Sequence, residues 1–97
     1  MSNLSLFSGG GHRILALQKG NTMQEIKQFF INIGKGNIDE NMDNLVEKGL
    51  LDSLGIMKLI QELESFYDIF IDVDYITPEN FRNFATIKSM VEKIINE

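Results

Sequence analysis

Cysteine is missing from this chain of 97 residues. That absence removes disulfides, thiolate nucleophiles and zinc–thiolate sites together. It leaves the redox compartment open. The only histidine is His12, and a catalytic triad or a multi-histidine metal site needs more than that. No apolar run approaches the roughly 20 residues that span a bilayer. The N-terminus also has neither the basic start nor the continuous apolar stretch of a secretory signal. The expectation is a cytoplasmic protein without a membrane span. Positive charge is scarce and unevenly placed. Residues 1–22 carry only Arg13 and Lys19, whereas the remainder holds seven Lys or Arg against fourteen Asp or Glu, for a net charge of −5. An acidic domain repels nucleic-acid phosphates and is steered towards basic protein surfaces. Nucleic-acid binding is therefore not expected.

What is present suffices for one small domain with a single core: 43% of the residues are hydrophobic. Residues 1–21 read as a flexible N-terminal extension containing Ser8-Gly9-Gly10-Gly11, and residues 22–97 as the folded domain. The glycines are no phosphate loop, because the Gly-Lys-Ser/Thr that would follow is missing. Thr22 with Glu25 three residues on has capping-box spacing. Ile26, Phe29, Phe30 and Ile33 then form a helical stripe that Gly34 ends. Residues 35–52 read as a long polar loop anchored by Ile38, Met42, Leu45, Val46, Leu50 and Leu51. A second helix is predicted from Ser53 to about Tyr67. Apolar residues at 56, 59, 60, 63, 66 and 67 supply its buried face.

Beyond it, Ile69 to Asp74 alternates like a strand but has no partner. It reads as an extended connector with its apolar side chains packed inward. Thr77-Pro78-Glu79 signals a short third helix, anchored by Phe81 and Phe84. Thr86 is expected to cap a fourth helix that buries Ile87, Met90, Val91, Ile94 and Ile95. The fold class predicted is all-α, a small four-helix bundle with three longer helices and a short third one. Asp72-Val73-Asp74 suggests a calcium loop, but the sixth and twelfth positions are Thr77 and Asn83 instead of the required glycine and glutamate. No metal site is expected, and the phenylalanines read as core.

The run Gly49-Leu50-Leu51-Asp52-Ser53-Leu54-Gly55 is the most informative. It sets Ser53 outside the buried stripe, at the helix end where N–H groups point outward and favour negative charge. A hydroxyl there is accessible and tolerates a phosphodiester. The plain alternative is a first-turn serine with Asp52 as the N-cap. Asp52, Glu62 and Glu64 similarly read either as a solvated face or as docking residues, and Met57 as core or contact.

From Leu45 to Phe84 the chain resembles the acyl carrier protein and peptidyl carrier protein superfamily. The matching pieces are Gly49 to Leu54, then Leu59-Ile60 and Leu63-Glu64, then Thr77-Pro78-Glu79-Asn80-Phe81 before the last helix. By helix order and spacing the likeness extends over residues 22–97. The resemblance implies a non-enzymatic carrier in which Ser53 receives 4′-phosphopantetheine from coenzyme A through a separate phosphopantetheinyl transferase. An acyl or aminoacyl group then rides on the arm as a thioester, delivered to loading and processing enzymes. It implies a monomer whose partner-binding residues are Asp52, Leu54, Met57, Lys58, Gln61 and Glu62. Lys58 stands where fatty-acid carriers have an acid, and Gln61 replaces a commonly apolar position, while Gly55 is reminiscent of D-alanyl and some peptidyl carriers. Fatty-acid or polyketide biosynthesis and aminoacyl or peptidyl transfer both stay open, as does a non-carrier acidic helical adaptor.

Overall fold

The computed structural model describes residues 22–97; the expected N-terminal extension over 1–21, with His12, lies outside the described residues. Three α-helices form among them: α1, Met23–Asn32; α2, Ser53–Tyr67; and α3, Phe84–Ile95. No strand is present among the described residues. The all-α expectation is met among the described residues, whereas the four helices expected over 22–97 number three.

α1 starts as its residues dictate. Thr22 is extended, its hydroxyl accepts the Glu25 N–H, and the Glu25 carboxylate accepts the Thr22 N–H in return. Past the C-cap at Ile33, Gly34 has φ +83°, the left-handed turn that glycine adopts without steric cost. Ile26, Phe29 and Phe30 are buried, and α1 packs against both α2 and α3. Phe30 stacks on Phe84 of α3 with ring centroids 4.9 Å apart, and Phe29 meets Phe66 of α2 edge-on at 5.2 Å.

The loop from 33 to 52 is held from inside, as its spaced apolar residues predicted. Ile38, Leu45 and Leu51 are buried, and Met42, Val46 and Leu50 pack on the core. Polar pins complete it. The Lys27 ammonium donates to the Ile38 carbonyl at 2.8 Å and also to that of Gly36. The Leu45 N–H donates to the Arg82 carbonyl at 2.9 Å. Asp43 receives a two-pronged Arg82 guanidinium at 2.9 and 3.0 Å and the Asn83 amide at 3.0 Å. The Arg82 hydrogen bond, helped by the Asn44 N–H and the Asn83 amide, holds the Asp43 carboxyl down at about 2.

The predicted short third helix does not form. A 3₁₀ turn occupies Val73–Tyr75, opened by the Asp72 carboxylate accepting the Asp74 N–H at 2.9 Å, and residues 77–83 make turns. Thr77 does accept the Asn80 N–H, and the Phe81 N–H reaches the Thr77 carbonyl. Helix propagation ends there because other groups take its backbone acceptors. The Asn80 carbonyl accepts the Thr86 hydroxyl and the Arg82 carbonyl accepts Leu45. The start of the last helix also moves. Its N-cap is Asn83, and Thr86 is the third helical residue in a reciprocal capping box, so Phe84 belongs to α3.

The connector differs as well. Ile71 is buried and Ile69 packs on the core, but Phe70 and Val73 are 75% and 72% exposed. The backbone around Ile71 is held by its N–H donating to the Glu64 carboxylate at 2.9 Å, and an extended chain turns neighbouring side chains to opposite sides. Phe70 therefore faces away from the core.

Candidate functional site

Ser53 is the first residue of the 15-residue α2. Asp52 precedes it in extended conformation, and its carboxylate accepts the Gly55 N–H at 2.9 Å. The helix is thus capped by the residue before the serine, which leaves the serine side chain without a capping task. Ser53 is exposed, and no hydrogen bond engages its hydroxyl among the described residues. The first-turn N–H groups of Ser53 and Leu54 meet no protein acceptor among the described residues either, as is normal at a helix start.

The burial pattern fixes which way this end faces. Gly55, Leu59, Leu63 and Tyr67 form the buried stripe, one turn apart. Ile56, Ile60 and Phe66 flank it, partly covered. Burial pushes the Tyr67 hydroxyl above its ordinary range, with the negative charges of Glu25 and Glu92 adding to the effect. On the opposite side stand Leu54, 61% exposed, and Met57, 62% exposed, with Lys58 and Gln61 also exposed. Ser53, Leu54, Met57, Lys58 and Gln61 therefore share an exposed face. Glu62 is turned from it: half-buried, its carboxylate accepts the Asn32 amide at 2.8 Å across the α1–α2 seam. Asp52 is exposed beside Ser53 with one oxygen engaged in the cap.

One contact at this end carries no sequence signal. A side chain at Gly55 would push the flexible end of Lys35 aside and crowd Leu51 and Asp52, because an added Cβ lies 2.8 Å from Lys35 Cε, 3.0 Å from Leu51 Cδ1 and 3.2 Å from Asp52 Oδ1. The long loop also reaches the helix start from behind through Leu51, fully buried one residue before the cap. Lys35 and Gly55, twenty positions apart, meet only in the fold, whereas Leu51 is one of the loop anchors expected from sequence.

A phosphodiester fits this end in its chemistry: the hydroxyl is open to solvent, the adjacent N–H groups are available, and the cap is satisfied without the serine. Among the described residues no three His, Asp or Glu side chains converge on a metal position, and no helix is long and apolar enough to cross a membrane. Comparison with family models, with curated proteins and with solved structures finds no match.

Proposed function

We propose that this chain is a carrier protein: Ser53 bears a 4′-phosphopantetheine arm, and the face around it presents the attached group to other enzymes. The observation that carries this reading is the exposed, structurally idle Ser53 hydroxyl at the first position of α2, capped independently by Asp52. The arm, transferred from coenzyme A by a phosphopantetheinyl transferase with cleavage of the pyrophosphate bond and release of adenosine 3′,5′-bisphosphate, supplies a terminal thiol that holds an acyl or aminoacyl group as a thioester. The chain's own residues do the rest. Ser53 contributes the hydroxyl oxygen. The helix start tolerates the negative phosphodiester through its dipole and its outward N–H groups. Exposed Leu54 and Met57, with Lys58 and Gln61, give partner enzymes an apolar and polar surface beside the attachment point. No catalytic step belongs to the chain in this reading.

The test is an intact mass after incubation with coenzyme A and a broad-specificity transferase, with Ser53→Ala in parallel. One phosphopantetheine added to the parent alone supports the carrier. No addition to folded protein by an active transferase replaces it with a helical adaptor that uses the same face. Loading assays with acyl-transferring and with adenylating enzymes then separate fatty-acid or polyketide cargo from aminoacyl or peptidyl cargo.

A further inference from the structure

Every sulfur in this chain belongs to one of five methionines, because cysteine is missing. Four of them lie among the described residues, and the fold treats them differently. Met90 is buried, Met23 and Met42 pack partly covered against the core, and Met57 is 62% exposed. Met57 also stands four residues after Ser53 on α2, one helical turn along the same exposed face. Leu54 and Gln61, its other exposed neighbours at helical spacing, set it in the middle of that face. We infer that Met57 is a site of reversible oxidation by peroxides, and that its sulfoxide weakens the docking of partner enzymes on the Ser53 face. The effect on docking rests on the carrier reading.

The peroxide alone balances the step. The thioether sulfur attacks one peroxide oxygen, an S–O bond forms and the O–O bond breaks. With hydrogen peroxide, the second oxygen leaves with both hydrogens as water. Sulfur gives up two electrons and the peroxide accepts them. Access decides which sulfur reacts first, and the chain holds no thiol of its own to intercept the oxidant.

Burial decides what the added oxygen does. Met57 is not among the residues that fill or flank the core, so in the free protein its sulfoxide stays hydrated and the helix is undisturbed. Under a partner the same oxygen is taken out of water without a matched donor, and an unsatisfied polar group in an apolar contact costs affinity. A pliable thioether that fits many apolar surfaces has become a polar, chiral group. Oxidation therefore acts on docking and leaves the fold intact.

The test exposes the full chain, before any arm is attached, to dilute hydrogen peroxide and maps tryptic peptides over time. Cleavage after Lys and Arg puts each methionine in its own peptide, and residues 49–58 carry Ser53 and Met57 together. Met57 should oxidise first of the four, about tenfold or more ahead of buried Met90. At protein concentrations below KM, the oxidised parent should accept phosphopantetheine about fivefold or more slowly, the scale of one lost interface contact. Both epimer-specific methionine sulfoxide reductases with dithiothreitol should restore the rate. The readout is the ratio of treated to untreated rate for each protein, so Met57→Leu should give a ratio near one whatever its own rate.

Oxidation of Met23, Met42 or Met90 ahead of Met57, or an equal loss in Met57→Leu, overturns the inference. A thermal transition that falls together with the rate also overturns it, since the loss then comes from the fold. An untreated parent that accepts no arm removes the carrier reading and this inference with it. An untreated parent that accepts the arm at a rate oxidation leaves unchanged removes the inference alone.

Discussion

The stem of Lys35 lies across Gly55, the third residue of α2, so closely that a methyl group there would meet Lys35 Cε at 2.8 Å. In an exposed helix, glycine to alanine stabilises by about 1 kcal/mol. Here that gain should be cancelled or reversed, because Leu51 Cδ1 and Asp52 Oδ1 also crowd the added carbon. Lys35→Ala removes the nearest contact and should recover part of the gain in the double variant. A denaturant-unfolding cycle over the four proteins measures the coupling. Additive effects would mean that the Lys35 end moves aside without cost and that Leu51 and Asp52 alone crowd the added carbon.

Asp52 and Ser53 should separate cleanly by readout. Asp52→Ala removes the cap and costs about 1 kcal/mol, whereas Asp52→Asn keeps an acceptor and costs less. Ser53→Ala should change stability by no more than about 0.5 kcal/mol, the usual range for an unengaged surface position, while abolishing phosphopantetheine attachment. Thermal melts beside intact masses check both. A strongly destabilised Ser53→Ala would contradict the idle hydroxyl.

Acid should act through Asp43. Its folded-state pKa lies at about 2, below the ordinary 3.8, chiefly because of the Arg82 hydrogen bond. The sign follows from that depression. The contribution is fully present above the ordinary carboxylate pKa and disappears as pH falls through the folded value. The difference in unfolding midpoint between the parent and Asp43→Asn is therefore expected to be constant near neutrality and to shrink between about 4 and 2. Midpoints measured across that window test it, and a difference that persists to the acid end would exclude the ionised pair as its source.

Two phenylalanines eleven residues apart give opposite expectations. Phe81 is fully buried, and Phe81→Ala should cost about 3–5 kcal/mol, as for other aromatic core truncations. Phe70 projects into solvent, so Phe70→Ser should change stability by about 0.5 kcal/mol at most. Denaturant unfolding of the two variants distinguishes them.

Legibility from sequence tracked the range of the interactions. The capping box of α1 and the extent of α2 could be read because their determinants lie within one turn, at Thr22 and Glu25 or at Asp52 and Gly55. Thr77-Pro78-Glu79 misled because it is a true start signal whose continuation is decided elsewhere: Leu45 takes the Arg82 carbonyl and Thr86 takes that of Asn80. Asn83 and Thr86 are both competent caps. Asp43, forty positions from Asn83 in sequence, binds the Asn83 amide, and the reciprocal box then puts Thr86 inside α3. At the candidate site, Ser53 and its exposed neighbours were accessible from helical periodicity. The Lys35 stem over Gly55 was not, and neither was the seam that turns Glu62 towards Asn32.

The Asp43–Arg82 fork, closed over 39 positions of chain, makes a loop that contains the whole of α2. A 15-residue helix is marginal alone in water but flickers into existence within about a microsecond. Closing that loop is the slower event, since its chain entropy is lost before the fork and the Leu45–Arg82 bond form. The arrival of Ser53 in its native setting is therefore timed by the assembly of the whole domain, and a chain stalled before loop closure displays the serine on an unanchored helix.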